Sequence, residues 1–302
     1  MSGKSNTSIS IHKSENFQGW MSVIPVILII LAIRGYPIVV GILKSFTNWD
    51  GLFRSDFVGL RNYISILGSS QFWMLLKNNI VLLLYLPAQI AIGLIVAVLL
   101  YEEIPGWKFF RSCYYLPQVL SVLSIGYLFV VCFGYDGPVN TILRKSGLGV
   151  LAVDWLGSGS TGLLVIITCM VWINIGWQGM LFLGGMANIQ PSIYEAAVID
   201  GAGYWTKLMK ITFPLLIRTV EYSVIVSVLW TFTSLFPLIF SITKGGPGYE
   251  MTTVDYMIYL RAFKGGSDFG YASALAVILL LIVLALTVLQ MKLTKKSEDW
   301  SE

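Results

Sequence analysis

The stretch Asn78–Tyr101, NNIVLLLYLPAQIAIGLIVAVLLY, decides the class of fold because its 24 residues contain no charged side chain. A helix rises about 1.5 Å per residue, so about 20 apolar residues cross the hydrocarbon core of a bilayer. In that core each backbone N–H and C=O must be bonded within the protein, and a helix meets this condition. The stretch therefore predicts a membrane-spanning α-helix.

Five further stretches are similarly long and apolar, and only the first of them contains a charged residue, Arg34. They are roughly Trp20–Leu43, Ser112–Gly134, Leu163–Ala187 within the uncharged run Leu156–Tyr194, Tyr222–Thr243 and Phe269–Met291. Charged residues make up only 12% of the 302 residues, whereas a typical soluble domain has about 25%. We predict an all-α integral membrane protein with six transmembrane helices.

The chain is organised as one transmembrane domain (19–293) between a polar tail (1–18) and a short charged tail (294–302). Six spans place both termini on the same side of the membrane. Lysine and arginine residues are nearly balanced between the loops of the two sides, so the positive-inside rule decides little. Lys292, Lys295 and Lys296 next to the last span slightly favour cytoplasmic termini.

Several classes of function are disfavoured by what the sequence lacks. No G-x-x-x-x-G-K-[ST] phosphate loop occurs, so we expect this chain to bind no ATP and to have no ATPase site. Cys113, Cys132 and Cys169 all fall within spans at spacings unlike those of metal sites, and a disulfide framework is not expected. The net charge of +4 includes no basic run that would indicate a nucleic-acid partner. We predict neither an enzyme nor a bound cofactor.

The loop between spans four and five, about 188–215, has the most specific pattern in the chain. Ser192 and Glu195 match a capping box, in which Ser192 is the N-cap and Glu195 the third helical residue. Gly201 and Gly203 suit a helix end and a turn because glycine tolerates positive φ. Pro214 fits the return of the chain to the fifth span. The pattern predicts a short helix, a turn and a second short helix at the membrane surface.

The segment Glu195-Ala196-Ala197-x-x-Asp200-Gly201-Ala202, followed by Ile211-x-x-Pro214, resembles the EAA loop of permease subunits in binding-protein-dependent ABC importers. The resemblance implies a coupling helix that lies in the cytoplasm and docks into a cleft of an ATPase subunit. Both termini would then be cytoplasmic, and the chain would lie in a bacterial plasma membrane. The coupling residues implied are Tyr194, Glu195, Ala196, Ala197, Asp200, Gly201 and Ala202.

Within this resemblance, Glu195 would make a polar or ionic contact with the ATPase subunit, although it could equally cap its own helix, and the two roles are compatible. Ala196 and Ala197 would permit close approach, and Gly201 would shape the turn. The partners implied are two ATPase subunits that hold ATP and Mg, a second and unlike permease, an extracytoplasmic solute-binding protein and the lipid bilayer.

Other segments narrow the resemblance to carbohydrate importers. Phe110-Arg111 with Leu116-Pro117, Gly245–Gly248 with Tyr259, and Gly270–Ala274 are similar to the first of two unlike permeases in sugar and glycerol-phosphate importers. A sugar or oligosaccharide is the solute this implies, and glycerol phosphate or another polar solute is the alternative. From the residues alone, Gly245–Gly248 indicates only a tight turn. An ion-coupled transporter is the rival class, with Glu221 as its only candidate acidic residue.

A path for a sugar needs hydrogen-bonding side chains and aromatic faces, and two spans offer them at helical spacing. The candidate path residues are Asn174, Trp177 and Gln178 in span four and Ser223, Ser227, Trp230, Thr231 and Ser234 in span five. Small polar residues also serve helix packing, so the serine stripe has two open interpretations. The larger amides favour a watery cavity. Gln89 and Tyr127 are weaker candidates.

Arg34 interrupts the first span, where an unpaired charge is costly. Its side chain either extends toward the outer interface, with Gly35-Tyr36-Pro37 marking the end of the apolar core, or faces the translocation path.

Overall fold

The computed structural model describes residues 20–21 and 23–298. The predicted tail 1–18 and the end of the predicted tail 294–302 lie outside these residues. Within these residues the regular secondary structure is helical, apart from an isolated antiparallel bridge between Thr47 and Phe57, and turns and loops connect the helices. Its main helices are α1 (Val23–Lys44), α2 (Arg61–Leu67), α3 (Ser70–Leu82), α4 (Tyr85–Tyr101), α5 (Trp107–Val119), α6 (Val122–Phe133), α7 (Pro138–Lys145), α8 (Gly159–Met186), α9 (Pro191–Ile199), α10 (Tyr204–Leu215), α11 (Ile217–Thr233), α12 (Phe236–Ile242), α13 (Val254–Tyr259) and α14 (Phe269–Glu298).

Five helical stretches of the described chain are long and apolar enough to cross a membrane. They are Val23–Lys44, Ser70–Tyr101, Val122–Lys145, Gly159–Met186 and Phe269–Thr294. The pair α10 and α11, bent by 69°, gives a sixth if it counts as one span. The predicted all-α class with its membrane helices is confirmed.

The bounds of three spans differ from the prediction. The second span begins at Ser70 rather than Asn78, so Lys77 lies within a helix and not in a loop. The predicted third span is interrupted between α5 and α6, where Leu120 and Ser121 have extended backbone angles shortly after Pro117. The predicted fifth span is interrupted after Thr233, and α12 starts with proline in its first turn. Proline lacks the N–H that the interior of a helix needs, and it is favoured in the first turn of a helix. Both breaks therefore lie near a proline.

Arg34 lies near the midpoint of α1, in a π-helical turn formed by Leu31–Gly35. The helix continues through Tyr36 and Pro37 to Lys44. At about 1.5 Å per residue, the ten residues from Arg34 to Lys44 place Arg34 about 15 Å from the Lys44 end of the helix. Gly35-Tyr36-Pro37 therefore does not end the first span as the interface interpretation supposed.

The chain divides into two compact units. One unit consists of the described residues up to Ile64 and of residues 261–277. Its loop after α1 folds back on itself, with the Val58 N–H donating to the Phe46 carbonyl at 2.8 Å. Asn48 and Arg54 donate hydrogen bonds to the Asp56 carboxylate, which lowers the pKa of that exposed group. Gly270 donates to the Trp49 carbonyl at 2.8 Å, and a Cβ at Gly270 would collide with the backbone of Thr47.

The other unit consists of residues 65–260 and of the described residues from Ile278 onward. Its centre is the pair α4 and α8, which approach closely because Gly93 and Gly179 face the opposite helix. A Cβ at Gly179 would lie 2.8 Å from the Val96 side chain. Helix α5 crosses α8 at Gly176, whose missing side chain leaves room for the backbone of Tyr114 and Tyr115.

The segment between α12 and α13 is buried at Gly245 and at Met251–Thr253, whereas Lys244 and the residues from Pro247 to Glu250 are exposed. Gly245 and Gly248 have φ values of +83° and +56°, as the predicted tight turn requires. The amide of Asn78 donates to the carbonyls of Glu250 and Thr252 at 2.8 and 2.9 Å. Burial raises the pKa of Asp255, which accepts the Phe236 N–H at 2.7 Å and so caps the start of α12.

Candidate functional site

Helix α9 begins at Pro191, and Gln190 is its N-cap without a side-chain capping bond. The predicted capping box is therefore wrong. Ser192 is the second helical residue and Glu195 the fifth. Proline at the first helical position has a preset φ and lacks an N–H that would be unpaired there, which places the start at Pro191.

The C-terminus of α9 is a Schellman motif built around Gly201. Gly201 has a φ of +75° and donates to the Val198 carbonyl at 3.0 Å. Ala202 donates to the Ala197 carbonyl at 2.8 Å, and Asp200 is the C-cap. These two bonds satisfy carbonyls at the helix end, and the left-handed conformation favours glycine. The predicted helix end at Gly201 is confirmed.

The second helix of the loop is longer than predicted. Gly203 has a φ of −69° and is the N-cap of α10, so it is not a left-handed turn residue. Helix α10 extends through a π-helical turn at Leu208–Thr212 to Leu215 and continues, after a bend of 69°, into α11. The loop is thus directly continuous with the fifth span.

The two faces of α9 differ in exposure. Glu195, Ala196 and Asp200 are exposed, and Ile199 is 85% exposed. Ala197 is buried and Tyr194 half-buried, so the two adjacent alanines point to different sides. Within the described part of the chain, the Glu195 side chain forms no hydrogen bond or ion pair. The exposed face of α9 therefore offers the free carboxylate of Glu195 beside small and apolar side chains.

The inner face of α9 is attached through Tyr194. Its ring centroid lies 5.7 Å from that of Tyr101 at the end of α4. Its hydroxyl is 3.3 Å from the Thr212 hydroxyl on α10, and burial raises its pKa. A cavity of about 170 Å³ lies beside it. The cavity is lined by Val98, Tyr101, Glu102, Met186, Tyr194, Tyr204, Lys207, Leu208 and Thr212.

The predicted polar stripe of span five separates into two groups. Ser223, Ser227 and Thr231 are buried in the described chain, whereas Trp230 is half-buried and Ser234 is exposed at the helix end. The Thr231 hydroxyl donates to the Ser227 carbonyl at 2.8 Å, within its own helix. The buried members therefore occupy positions of helix packing in this chain.

A hydrogen-bonded cluster links three helices near the middle of this unit. The Gln178 side-chain oxygen on α8 accepts from the Gln89 amide on α4 at 2.7 Å and from the Ser223 hydroxyl on α11 at 2.9 Å. All three side chains are fully buried. From the sequence, Gln89 is only a weaker candidate for the solute path. Helical spacing does not reveal contacts between helices.

Asn174 and Trp177 lie on the less buried side of α8. The Asn174 amide donates to the Met170 carbonyl of its own helix at 2.8 Å. Trp177 lines an open groove of about 550 Å³ between α5 and α8. The other lining residues are Arg111, Ser112, Tyr115, Met180 and Leu181. Sequence analysis missed Ser112 and Tyr115 as lining residues. The spacing of Arg111 and Tyr115, four residues apart in an aromatic-rich segment, was the available signal.

Gln178→Leu is expected to destabilise the protein by about 1–3 kcal/mol for each polar group left unpaired, because Gln89 and Ser223 would both lose their acceptor. The midpoint of thermal unfolding of the purified protein in detergent measures this loss. Asn174→Leu is the matched control on the same helix, since it removes one bond to a local carbonyl. Equal shifts for the two variants would contradict the assigned role of the cluster.

Comparison with known proteins agrees with this architecture. The family model described as binding-protein-dependent transport system inner membrane component matches residues 89–297. The multiple sugar-binding transport system permease protein MsmF of Streptococcus mutans is 33% identical, over 96% of this chain and 100% of the relative. The lactose transport system permease protein LacF of Rhizobium radiobacter is 29% identical, over 93% and 95%.

A glycerol-phosphate permease and a solved structure are also similar. The sn-glycerol-3-phosphate transport system permease protein UgpA of Agrobacterium fabrum is 28% identical, over 92% of this chain and 94% of the relative. A chain in the crystal structure of a bacterial ABC transporter that imports the acidic polysaccharide alginate has a TM-score of 0.81 at 20% identity. That alignment covers 96% of this chain and 99% of the other, and it shows the same fold.

The family match extends from Gln89 of span two to beyond span six, and it includes α9 and both ends of the loop that contains it. It favours the binding-protein-dependent class over the ion-coupled alternative. The chain belongs to the family of binding-protein-dependent transport system inner membrane components.

Proposed function

We propose that this chain is the permease subunit of an ATP-driven importer and forms half of the translocation path for a sugar or oligosaccharide. The observation that carries the proposal is the exposed face of α9, where Glu195, Ala196 and Ile199 are exposed on a helix with a capped C-terminus. A free carboxylate among small and apolar side chains suits docking against another protein. The relatives named for sugars support the substrate class, since they align over nearly the whole of this chain.

In this proposal, two ATPase subunits hold ATP and Mg, and each docks with one permease. When the ATPase subunits close on ATP, they move α9 and with it the spans, so that the path opens to the outside. An extracytoplasmic binding protein then releases its solute into the path, and hydrolysis resets the transporter. A second, unlike permease supplies the other half of the path. The N- and C-termini and α9 all lie in the cytoplasm.

The groove beside Trp177 supports a polar solute. Trp177 and Tyr115 offer aromatic faces, and Ser112 and Arg111 offer hydrogen-bond donors. Its volume of about 550 Å³ falls within the range of small-molecule sites, about 300–1,000 Å³. Arg111 also favours the second candidate, glycerol phosphate, because a guanidinium pairs well with phosphate oxygens.

The proposal is tested by reconstituting the chain into lipid vesicles with the second permease, the ATPase and the binding protein encoded by neighbouring genes. Radiolabelled maltose, lactose and glycerol 3-phosphate are offered separately, with and without ATP inside the vesicles. We expect ATP-dependent uptake of a sugar that persists when an ionophore removes the proton gradient. Uptake of glycerol 3-phosphate alone would favour the second candidate. Uptake that needs the proton gradient and not ATP would overturn the proposal.

A further inference from the structure

Tyr194 connects helix α9 to two other helices. Its ring packs against Tyr101, the last residue of α4, at a centroid distance of 5.7 Å. Its hydroxyl lies 3.3 Å from the hydroxyl of Thr212 in α10, and Thr212 is itself buried. Glu195, the next residue, points outward and is exposed. Adjacent residues of α9 thus face the proposed ATPase contact and the body of the chain.

A cavity lies beside Tyr194 and is lined by residues of the α4 segment and of α10. Val98, Tyr101 and Glu102 of the α4 segment lie on one side of the cavity of about 170 Å³. Tyr204, Lys207, Leu208 and Thr212 of α10 also line it. Tyr194 lines this space from α9, and its ring contact with Tyr101 joins α9 to the end of α4 beside the cavity.

Helix α4 leads from this contact to the buried polar cluster. Gln89 lies twelve residues before Tyr101, which corresponds to about 18 Å along a helix. Gln89 donates to Gln178 on α8, and Gln178 also accepts from Ser223 on α11. Between these points, Leu94, Ala97 and Val98 pack into a buried cluster with Phe182 and Met186 of α8. A movement of the inner end of α4 therefore reaches three helices at the level of the cluster.

We infer that Tyr194 is a positioning residue that transmits the movement of α9 to α4, and through α4 to the cluster of Gln89, Gln178 and Ser223. The inference rests on the proposed function, in which α9 is driven by an ATPase subunit. The ring contact transmits the displacement, and the bond between Tyr194 and Thr212 holds the ring in place.

The test measures solute uptake and phosphate release on the same preparation of the complete transporter in vesicles. Tyr194→Ala is expected to raise the number of ATP molecules hydrolysed per solute imported at least fivefold, while the ATPase subunits still co-purify. Tyr194→Phe keeps the ring and is expected to raise the ratio less than twofold. Lys207→Ala is the matched control, because it removes only a partly exposed ion pair with Glu102 at 4.0 Å across the same cavity.

If Tyr194 only anchored α9, its replacement by alanine would lower solute uptake and ATP hydrolysis together and leave their ratio unchanged. That result for Tyr194→Ala, or an equal rise for Lys207→Ala, would overturn the inference. Tyr194→Leu keeps a sizeable apolar side chain but removes the ring, and the same fivefold rise is expected for it if the alanine variant fails to assemble. Failure of the proposed function would differ, since the unchanged chain would then show no ATP-dependent uptake.

Discussion

Glu195→Ala is expected to reduce ATP-dependent uptake at least thirtyfold while the protein still inserts into the membrane. The Glu195 side chain is exposed on α9 and forms no hydrogen bond or ion pair within the described residues, so its removal costs the fold little. Truncating one partner of a buried charged pair in an interface costs about 2–5 kcal/mol, and each 1.4 kcal/mol corresponds to about a tenfold change. Uptake into vesicles and co-purification of the ATPase subunits measure the two effects.

Two further variants test whether the loss of uptake comes from the Glu195 carboxylate. Glu195→Gln keeps a hydrogen-bonding group without the charge, and its uptake should lie between that of the wild type and the alanine variant. Asp136→Ala is the control, because Asp136 is also a highly exposed acid, with a side-chain exposure of 89%. Normal uptake and normal ATPase assembly with Glu195→Ala would exclude docking through this carboxylate. Glu195 would then have no role in contact with another subunit.

Gly176→Leu is expected to prevent the chain from folding into a single stable species. A Cβ at Gly176 would lie 2.8 Å from the Tyr115 Cα and 2.9 Å from the Tyr114 carbonyl carbon. These are backbone atoms, which cannot rotate aside, so α5 and α8 must separate. Overpacking a well-packed core costs about 1–3 kcal/mol, and forced movement of the backbone costs more. The yield of monodisperse protein in size-exclusion chromatography measures the effect.

The control for this variant lies on the same helix. Gly184 is also within α8, and a Cβ there would meet no atom within 4 Å. Gly184→Leu should therefore give a yield close to that of the unchanged chain. If both variants gave equal yields, the close crossing of α5 and α8 at Gly176 would not be important for folding.

The position of the loop around Glu195 could be predicted from the sequence, but its details could not. Gly201 was identified correctly because a left-handed residue after a helix favours glycine wherever it occurs. The start of α9 was misplaced because Ser192 and Glu195 fit a capping box, while Pro191 fits the first helical position as well. Ala196 and Ala197 were treated alike, although one is exposed and the other buried. Which face of a short helix is covered depends on α4 and α10, which are distant in sequence.

By itself the sequence determined the membrane class, the approximate spans and the loop around Glu195. These features depend on runs of uncharged residues and on local turn chemistry, both of which can be read along the chain. Only the tertiary structure showed that Gln178 bonds to Gln89 and Ser223 and that Trp177 lines a groove with Arg111. Helical periodicity reveals which residues share a face, but the neighbour that this face meets depends on packing between distant segments.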